Sequence, residues 1–312
     1  MKVNENGLAV SVIIPSFNRP QLTLRAVQSV LAQTWSRFEV LVIDDGSHPD
    51  QIFPIGSVND ERVRLIRHPA NLGVSAARNT GVKAARFPLI ALLDSDDHWL
   101  PDKLAGQIEA YGKHSTRGNL LIYSAYYLEE GTARAVYPLT SRRRNESLSD
   151  FLFLDCGSVN TSSWLTSRAL LQQFPFDVHL SQCEDYDVLL RMEAAGVEFI
   201  YCSAPSVVTN CDPRRGDRLS GRLRREYYVK FLEFNGQRMT PMSYVVLESI
   251  ILNAAHRGSL GSKVHNHIIH FLKSPRLGWA ARIHLVITYL VRRCAVKVKA
   301  RLQNTRAYVK EN

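Results

Sequence analysis

The sequence is poor in the features that mark secreted, disulfide-stabilised or zinc-binding proteins. It has five cysteines in 312 residues, an odd number with no Cys-x-x-Cys pair, which disfavours both a disulfide framework and a structural zinc site. A signal peptide is also missing, because Lys2 and Glu5 precede an apolar run that Pro15 soon ends. These absences favour a reducing compartment, and the sequence predicts a cytoplasmic protein.

Long apolar runs and several common catalytic motifs are absent as well. The apolar stretch Ile283–Val291 is far shorter than the roughly 20 residues of a membrane span. There is no Gly-x-Gly-x-x-Gly, Gly-x-Ser-x-Gly or His-Glu-x-x-His, and the glycine pair Gly216 and Gly221 is followed by Arg222 instead of Lys. A dinucleotide-binding enzyme, an α/β-hydrolase, a zinc protease and a P-loop NTPase are therefore excluded.

Acidic residues are almost absent from the C-terminal region, which carries most of the positive charge. Residues 273–312 contain ten Lys and Arg against Glu311 alone, which accounts for +9 of the net charge of +10. Apolar residues from Trp279 to Val291 recur at helical spacing. Such a helix either lies in the headgroup plane of an anionic membrane, the interpretation we favour, or packs on the rest of the protein. Few aromatic residues accompany the charges, so we expect no nucleic-acid partner.

The first hundred residues alternate short apolar runs with helical patterns. Four runs have the composition of buried strands, with predicted bounds Val10–Ile14, Phe38–Ile43, Val63–Ile66 and Pro88–Leu93. Strands that alternate with helices predict an α/β fold with a mostly parallel sheet flanked by helices. Ligands of such sheets bind at the carboxyl ends of the strands, so we expect the residues after these strands to line one crevice.

The fourth run ends in a cluster of carboxylates, Asp94, Asp96 and Asp97. A buried strand tolerates such charge only at an open cleft or beside a cation. An EF-hand is excluded, because Trp99 stands where that loop requires Gly and Ala105 where it requires a bidentate Glu. Two interpretations remain: a solvated turn before a helix, and a Mg²⁺ or Mn²⁺ site that shares its coordination with a substrate phosphate.

Five segments resemble, in order, the sequence blocks of family 2 glycosyltransferases of the GT-A fold, of the bacterial polysaccharide type. They are Ser11–Asn18, Val42–Ser47, Asn71–Asn79, Leu93–Asp97 and Cys183–Arg191. One such block is a weak match, whereas all five in order are a specific one. The resemblance implies a Rossmann-like GT-A sheet and an inverting, metal-dependent transfer of a sugar from a nucleotide diphosphate sugar, usually UDP-linked, to a hydroxyl group.

The resemblance also implies roles for individual residues. It assigns the nucleobase to the backbone of Pro15 and Phe17 and to Asp44 and Arg78, and the ribose to Asp94. Asp45 is expected in the same donor-binding set. Asp96 would bind Mn²⁺ or Mg²⁺, and Asp97 would support it. Asp185 would be the catalytic base, with Glu184 ordering the acceptor side. For Asp187, which follows these two acids, we expect only a helix cap.

The implied acceptor is a glycan, in particular a lipid-linked glycan of cell-surface polysaccharide assembly, reached from the inner face of the cell membrane. Two alternatives are a protein acceptor and a non-catalytic protein that binds sugar nucleotides or membranes. The presence of Asp96 and Asp185 argues against the second.

The domain organisation follows from the same patterns. We expect a catalytic domain over residues 1–235, with a nucleotide-sugar half (1–118) and an acceptor half (119–235), and a basic helical extension over 236–312. The segment Thr161–Leu165 is polar for a strand, and the resemblance implies that it lines the acceptor pocket. Its Trp164 either stacks on a sugar or belongs to the core. The segment Ser141–Arg144 is interpreted as a solvated loop in preference to a phosphate site. One residue of the set Asp212, Arg214, Arg215 and Arg218 is expected to close over the diphosphate.

Overall fold

The structure is a computed structural model that describes residues 8–114, 118–130, 133–138, 141–155, 157–210, 225–254 and 260–287. Its strands are β1 (Val10–Ser16), β2 (Phe38–Asp44), β3 (Val63–Arg67), β4 (Leu89–Leu92), β5 (Asp97–Trp99), β6 (Leu120–Glu130), β7 (Ala133–Tyr137), β8 (Leu165–Ser167) and β9 (Glu198–Asn210). Its helices are α1 (Pro20–Leu31), α2 (Val74–Ala84), α3 (Lys103–His114), α4 (Leu148–Phe153), α5 (Arg168–Gln173), α6 (Glu184–Ala194), α7 (Arg225–Asn235), α8 (Pro241–Ala254) and α9 (Leu260–Lys273). A further helix, α10, is described over residues 279–287.

The four strands predicted in the first hundred residues are present and form the parallel part of the sheet. β1 lies between β2 and β4, and β3 borders β2, all in parallel register. The first three strands each extend past their predicted ends, so that Ser16 pairs with Asp44 at the last position. Because the strands are parallel, their carboxyl ends meet at one edge of the sheet.

The rest of the sheet mixes parallel and antiparallel pairs. β8 is antiparallel to both β4 and β6, β6 is parallel to β9, and β5 folds back antiparallel on β9. Within the described residues, nine strands form one sheet in the order β3-β2-β1-β4-β8-β6-β9-β5, with β7 paired to β6. The predicted α/β architecture is confirmed, and the short strand β8 connects its two halves.

Both faces of the sheet are covered, which explains why its central strands are mostly apolar. Ile13 and Leu41 point into one cluster with residues of α2, α5 and α6. Val12 and Val40, their neighbours in sequence, point into the opposite cluster with residues of α1 and α3. Helix α1 begins with Pro20 at its first position, where a missing amide hydrogen costs no hydrogen bond.

The C-terminal helices add a smaller core of their own. Val245 and Val246 of α8, Phe271 of α9, and Leu277 and Leu285 around α10 form one buried cluster. Helix α7 instead joins the main core through Phe231 and Leu232. Among the described residues, no helix combines the length and the apolar character needed to cross a bilayer.

Candidate active site

The loops after β1 and β2 are joined at the carboxyl edge of the sheet. The amide of Asp45 donates to the carbonyl oxygen of Ser16 at 2.8 Å, and the amide of Asn18 donates to the hydroxyl of Ser47 at 2.8 Å. Asn18 adopts a left-handed conformation with φ of 53°, which is unusual outside glycine and recurs at functional sites. Pro15 is buried within β1, whereas the side chain of Phe17 is 42% exposed beside this edge.

Gly46 allows the loop after β2 to approach the loop after β3. It has φ of +74°, and a Cβ atom there would lie 2.3 Å from the carbonyl carbon of Ala70. Any side chain would therefore collide with the backbone that leads into α2.

Asp44 is buried but keeps one oxygen without a hydrogen bond. Its Oδ1 accepts from the amide of Ser47 at 2.9 Å. Its Oδ2 lies 3.3 Å from Arg67 Nε, outside hydrogen-bonding geometry, and accepts no hydrogen bond from the described residues. A buried acceptor of this kind is suited to an N–H donor of a ligand.

Both carboxylate oxygens of Asp45, by contrast, accept hydrogen bonds from the loop that leads into α2. Its Oδ1 accepts from the amide of Leu72 at 3.0 Å and faces His68 Nδ1 at 2.7 Å, and its Oδ2 accepts from the amide of Gly73 at 2.8 Å. The His68 ring also contacts Thr80 Oγ1 at 2.9 Å. These bonds fix the start of α2, and they place Asp45 as a support of the crevice.

The acid cluster after β4 divides into three carboxylates with different surroundings. Asp96 is paired with Arg19, with 3.4 Å between Oδ2 and Nη1, and its carbonyl oxygen accepts from Arg25 Nη2 at 2.8 Å. Asp97 begins β5, and its Oδ2 accepts from the hydroxyl of Ser162 at 2.7 Å. Asp94 is the most open of the three, with a side chain that is 33% exposed.

Arg78 joins the donor acids to the start of α6. Its Nη2 donates to Asp94 Oδ1 at 2.8 Å and its Nη1 donates to Glu184 Oε1 at 2.7 Å, while its own side chain is only 4% exposed. Burial disfavours the charged guanidinium, but the two carboxylates outweigh that effect and raise the pKa of Arg78. The guanidinium therefore remains charged and ties together two parts of the chain that lie far apart in sequence.

Asp185 lies next to this bridge at the beginning of α6. Burial, followed by repulsion from Glu184, raises the pKa of Asp185 to about 7, and attraction to Arg78 opposes this shift. Its Oδ2 is 3.5 Å from the hydroxyl oxygen of Thr161. Cys183, two residues before Asp185, has φ of 62°, so a strained turn leads into this helix. A carboxylate with a pKa near neutrality can accept a proton at physiological pH.

The interpretation of Asp187 as a helix cap is wrong. The N-cap position belongs to Cys183, which makes no side-chain capping bond. Asp187 is buried, pairs with Arg191 Nη2 at 2.7 Å, and accepts from Asn235 Nδ2 at 3.0 Å. It thus attaches α6 to the end of α7.

The structure also shows the surroundings of Trp164 and of the basic loop Ser141–Arg144. Trp164 is fully buried and stacks on Phe176 with 6.0 Å between ring centres, so it belongs to the core. In the basic loop, Arg142 pairs with Glu193, and Arg143, whose side chain is 64% exposed, pairs with Glu146. The set from Asp212 to Arg218 lies outside the described residues.

Sequence reasoning missed Arg19. This residue directly follows the Ser11–Asn18 block, so its closeness to that block was the available signal. The polar segment Thr161–Leu165 was expected at the acceptor pocket, and the structure also bonds its Ser162 to the acids after β4.

The acid cluster can be tested for its fit to a divalent cation. No group of three or more His, Cys, Asp or Glu in the described part of the chain could hold a metal by itself. Mg²⁺ and Mn²⁺, however, need only one or two protein carboxylates when substrate phosphates fill the remaining positions. Asp96, whose side chain is 12% exposed at the crevice, fits that requirement. Asp97, bonded to Ser162, fits a supporting role behind it.

The fold is that of the GT-A glycosyltransferases. The structure of S. aureus TarS, residues 1–349, solved in complex with UDP-GlcNAc, superimposes with a TM-score of 0.57 at 16% identity, covering 92% of this chain and 73% of that one. The chain belongs to glycosyl transferase family 2, whose sequence model matches residues 11–174. Asp185 lies beyond the matched residues, and its role as a base stays a prediction.

Two of the relatives are named as bacterial glycosyltransferases. The Erwinia amylovora amylovoran biosynthesis glycosyltransferase AmsB is 26% identical over 222 residues, which cover 69% of this chain and 73% of AmsB. The Escherichia coli UDP-Glc:alpha-D-GlcNAc-diphosphoundecaprenol beta-1,3-glucosyltransferase WfgD is 39% identical over 106 residues. That second alignment covers only 34% of this chain and 42% of WfgD.

Proposed function

We propose that the protein transfers a sugar from a UDP-sugar to a hydroxyl group of a lipid-linked glycan, with inversion at the anomeric carbon and with Mn²⁺ or Mg²⁺. One observation carries this proposal. Arg78 bonds Asp94 on the donor side and Glu184 beside Asp185, so donor carboxylates and a separate base candidate face one crevice. Inversion needs this separation, because the base and the leaving group act on opposite faces of the sugar.

The residues on the donor side are suited to a nucleotide whose base is flat and carries an N–H group. The Oδ2 of Asp44, which accepts no hydrogen bond from the described residues, is a buried acceptor for that N–H group, and uracil carries one such donor between two carbonyls. Phe17 and Leu72, 42% and 54% exposed at the same edge, offer apolar surface to the ring. The open side chain of Asp94 is suited to the ribose hydroxyls.

The donor diphosphate needs a positive charge beside it, because the carboxylates of Asp94, Asp96 and Asp97 repel it. A divalent cation held by Asp96 would neutralise the diphosphate and assist its departure as a leaving group. Arg19, which pairs with Asp96, is placed to share a phosphate oxygen, because a guanidinium binds phosphate with two parallel donors.

On the acceptor side, Asp185 removes the proton of the attacking hydroxyl. With a pKa of about 7, a substantial fraction of Asp185 is ionised at neutral pH and is still basic enough to accept that proton. Glu184, neutralised by Arg78 at 2.7 Å, orders the helix start and contributes to the basicity of its neighbour. The hydroxyl of Thr161 contacts Oδ2 of Asp185 and limits the rotation of that carboxylate.

The lipid-linked acceptor and a position at the inner face of the cell membrane are supported by relatives and by surface chemistry. WfgD acts, by its name, on a diphosphoundecaprenol-linked sugar. In this chain, Trp279 of α10 is 77% exposed and Ile287 is 56% exposed, while Leu285 on the same helix is buried. Arg282 lies between these residues in sequence, and its guanidinium donates to the carbonyl oxygens of Leu277 and Leu272. One side of α10 thus packs on the protein, and another presents an exposed tryptophan, which is suited to a headgroup layer.

The experiment is a panel of UDP-, GDP- and dTDP-linked sugars, scored by thermal stabilisation and by product formation on a lipid-linked acceptor, with and without Mn²⁺. A ligand that binds only the folded state raises its melting temperature. We expect stabilisation by UDP-sugars that depends on Mn²⁺, and we expect Asp96→Ala to abolish both that stabilisation and turnover.

Glu109→Gln, which removes a carboxylate from an exposed ion pair on α3, is the matched control and should behave like wild type. Equal UDP affinity with and without Mn²⁺ contradicts the metal assignment. Transfer to a peptide instead of a glycan favours the protein acceptor, and binding without any turnover favours the non-catalytic alternative.

A further inference from the structure

A short turn, Thr161–Ser163, lies between the donor acids and the base candidate. The hydroxyl of Ser162 donates to Asp97 Oδ2 at 2.7 Å and accepts from the amide of Asp94 at 3.0 Å. The hydroxyl of the preceding Thr161 lies 3.5 Å from Asp185 Oδ2. Two consecutive side chains therefore contact the two parts of the site that the transfer reaction needs.

The backbone of this turn is fixed from outside the site. Three consecutive carbonyl oxygens each accept a hydrogen bond from a buried side chain of residues 99–107. The pairs are Ser162 with Trp99 Nε1 at 2.8 Å, Ser163 with Gln107 Nε2 at 2.6 Å, and Trp164 with Lys103 Nζ at 3.2 Å. These three directional hydrogen bonds hold the turn in a single position relative to the sheet.

Lys103 shows how strongly the fold holds this turn. Its side chain is 1% exposed, and its Nζ lies 3.8 Å from the centre of the Trp99 ring. Burying an amine is costly, and burial lowers the pKa of Lys103 well below its usual range. A simpler apolar residue would pack here without that cost, but it would leave the carbonyl oxygen of Trp164 without this donor.

We infer that Ser162 is a positioning residue of the transfer reaction, a role that rests on the proposed function. Its hydroxyl holds the carboxylate of Asp97 and the backbone of Asp94 at once. Asp96 lies between these two residues, so the same bonds set the direction of the carboxylate that faces the donor diphosphate. The hydroxyl, and not the bulk of the side chain, performs this role.

The test compares the binding of UDP, by titration calorimetry with and without Mn²⁺, in wild type, Ser162→Ala and Ser163→Ala. Ser163 is the matched control, because it is equally buried and its hydroxyl donates to the carbonyl oxygen of Asn160 within the same turn. We expect Ser162→Ala to weaken UDP binding in Mn²⁺ by about 10- to 100-fold, the effect of a lost hydrogen bond to a charged group. Metal-free UDP binding should change by no more than about twofold, within the scatter of such measurements.

Two further variants separate positioning from simple stability. Ser162→Thr keeps the hydroxyl and should retain most of the Mn²⁺ effect. Asp97→Asn should reproduce the loss, and combining it with Ser162→Ala should add little, because both changes remove the same interaction. If Ser162→Ala does not fold, Ser162→Thr and Asp97→Asn carry the test.

The inference is overturned if Ser162→Ala keeps the wild-type response to Mn²⁺, or if Ser163→Ala loses it to the same extent. A wild-type protein whose UDP binding ignores Mn²⁺ overturns the proposed function first, and the inference with it. That outcome is visible before any variant is made, so the two failures are distinguishable.

Discussion

Replacing Asp185 with Asn should make the protein more stable and nearly inactive. The carboxylate is held among protein atoms beside Glu184, and these surroundings raise its pKa to about 7. Because the folded-state pKa lies above the unfolded-state value, the folded protein binds this proton more tightly. The resulting stability is fully present below the unfolded pKa and is lost as the pH rises through about 7. Asn keeps the shape and carries no charge at any pH.

The size of the effect follows from the shift. A pKa raised from 3.8 to about 7 corresponds to roughly 4 kcal/mol at about 1.4 kcal/mol for each tenfold change in proton affinity. Asp185 is only partly buried by surface area, so solvent reduces this value. We therefore expect the stability of Asp185→Asn relative to wild type to grow by about 1 to 3 kcal/mol between pH 5 and pH 8.

The assay measures urea unfolding at both pH values, together with kcat and UDP affinity. We expect kcat to fall by roughly 10²- to 10⁴-fold, as when a general base is removed, with UDP affinity near wild type. Asp187→Asn is the control on the same helix: it removes the buried partner of Arg191 and should lower stability.

The reasoning is refuted if Asp185→Asn retains most of its turnover, or if its stability relative to wild type does not change between pH 5 and pH 8. A product with retained anomeric configuration would refute the role of Asp185 as the base of an inverting reaction.

Two other predictions concern residues away from the chemistry. Lys103 has a lowered pKa, so the unfolded chain binds more protons between that pKa and about 10.4, and stability from this group rises with pH across that window. In urea unfolding, the stability of Lys103→Met relative to wild type should therefore be higher at pH 7 than at pH 10; an equal difference at both values would contradict a lowered pKa of Lys103 in the folded protein. Trp279→Ala should weaken sedimentation with anionic vesicles while leaving the melting temperature near wild type, because this side chain is 77% exposed. Phe234→Ala, at a 42% exposed ring on α7, is its control, and equal losses in both would exclude a specific anchor.

The parallel half of the sheet could be predicted from sequence because each of its strands is a local signal. The run Pro88–Leu93 is apolar without interruption, and Val10–Ile14 is broken only by Ser11, as expected for strands buried on both faces. The polar residues that follow them stand out for the same reason. The crevice was therefore predictable as a meeting point of strand ends, and the structure brings Ser16, Asp45 and Asp96 to that edge.

The connections within the site were not predictable, because they join residues far apart in sequence. Arg78 was expected near a nucleobase, and nothing local indicates that it pairs with Glu184. Asp97 looks like Asp96 in sequence, yet it starts β5 and faces Ser162. Asp187 could not be separated from a cap, since its partner Asn235 belongs to another helix. Long-range pairing, not propensity, decides all three.

The position of β8 has a consequence for the order in which this protein folds. The donor acids follow β4, which lies between β1 and β8 in the sheet. β8 is synthesised much later than β4, and the turn that contains Ser162 directly precedes it. The first four strands can pair early through short connections, but the acid loop receives its hydrogen bonds only once the chain beyond residue 160 has docked. Closing this long loop is slow relative to the local steps. On the ribosome, donor binding should therefore appear abruptly, with the insertion of a three-residue strand, and not gradually as the parallel sheet grows.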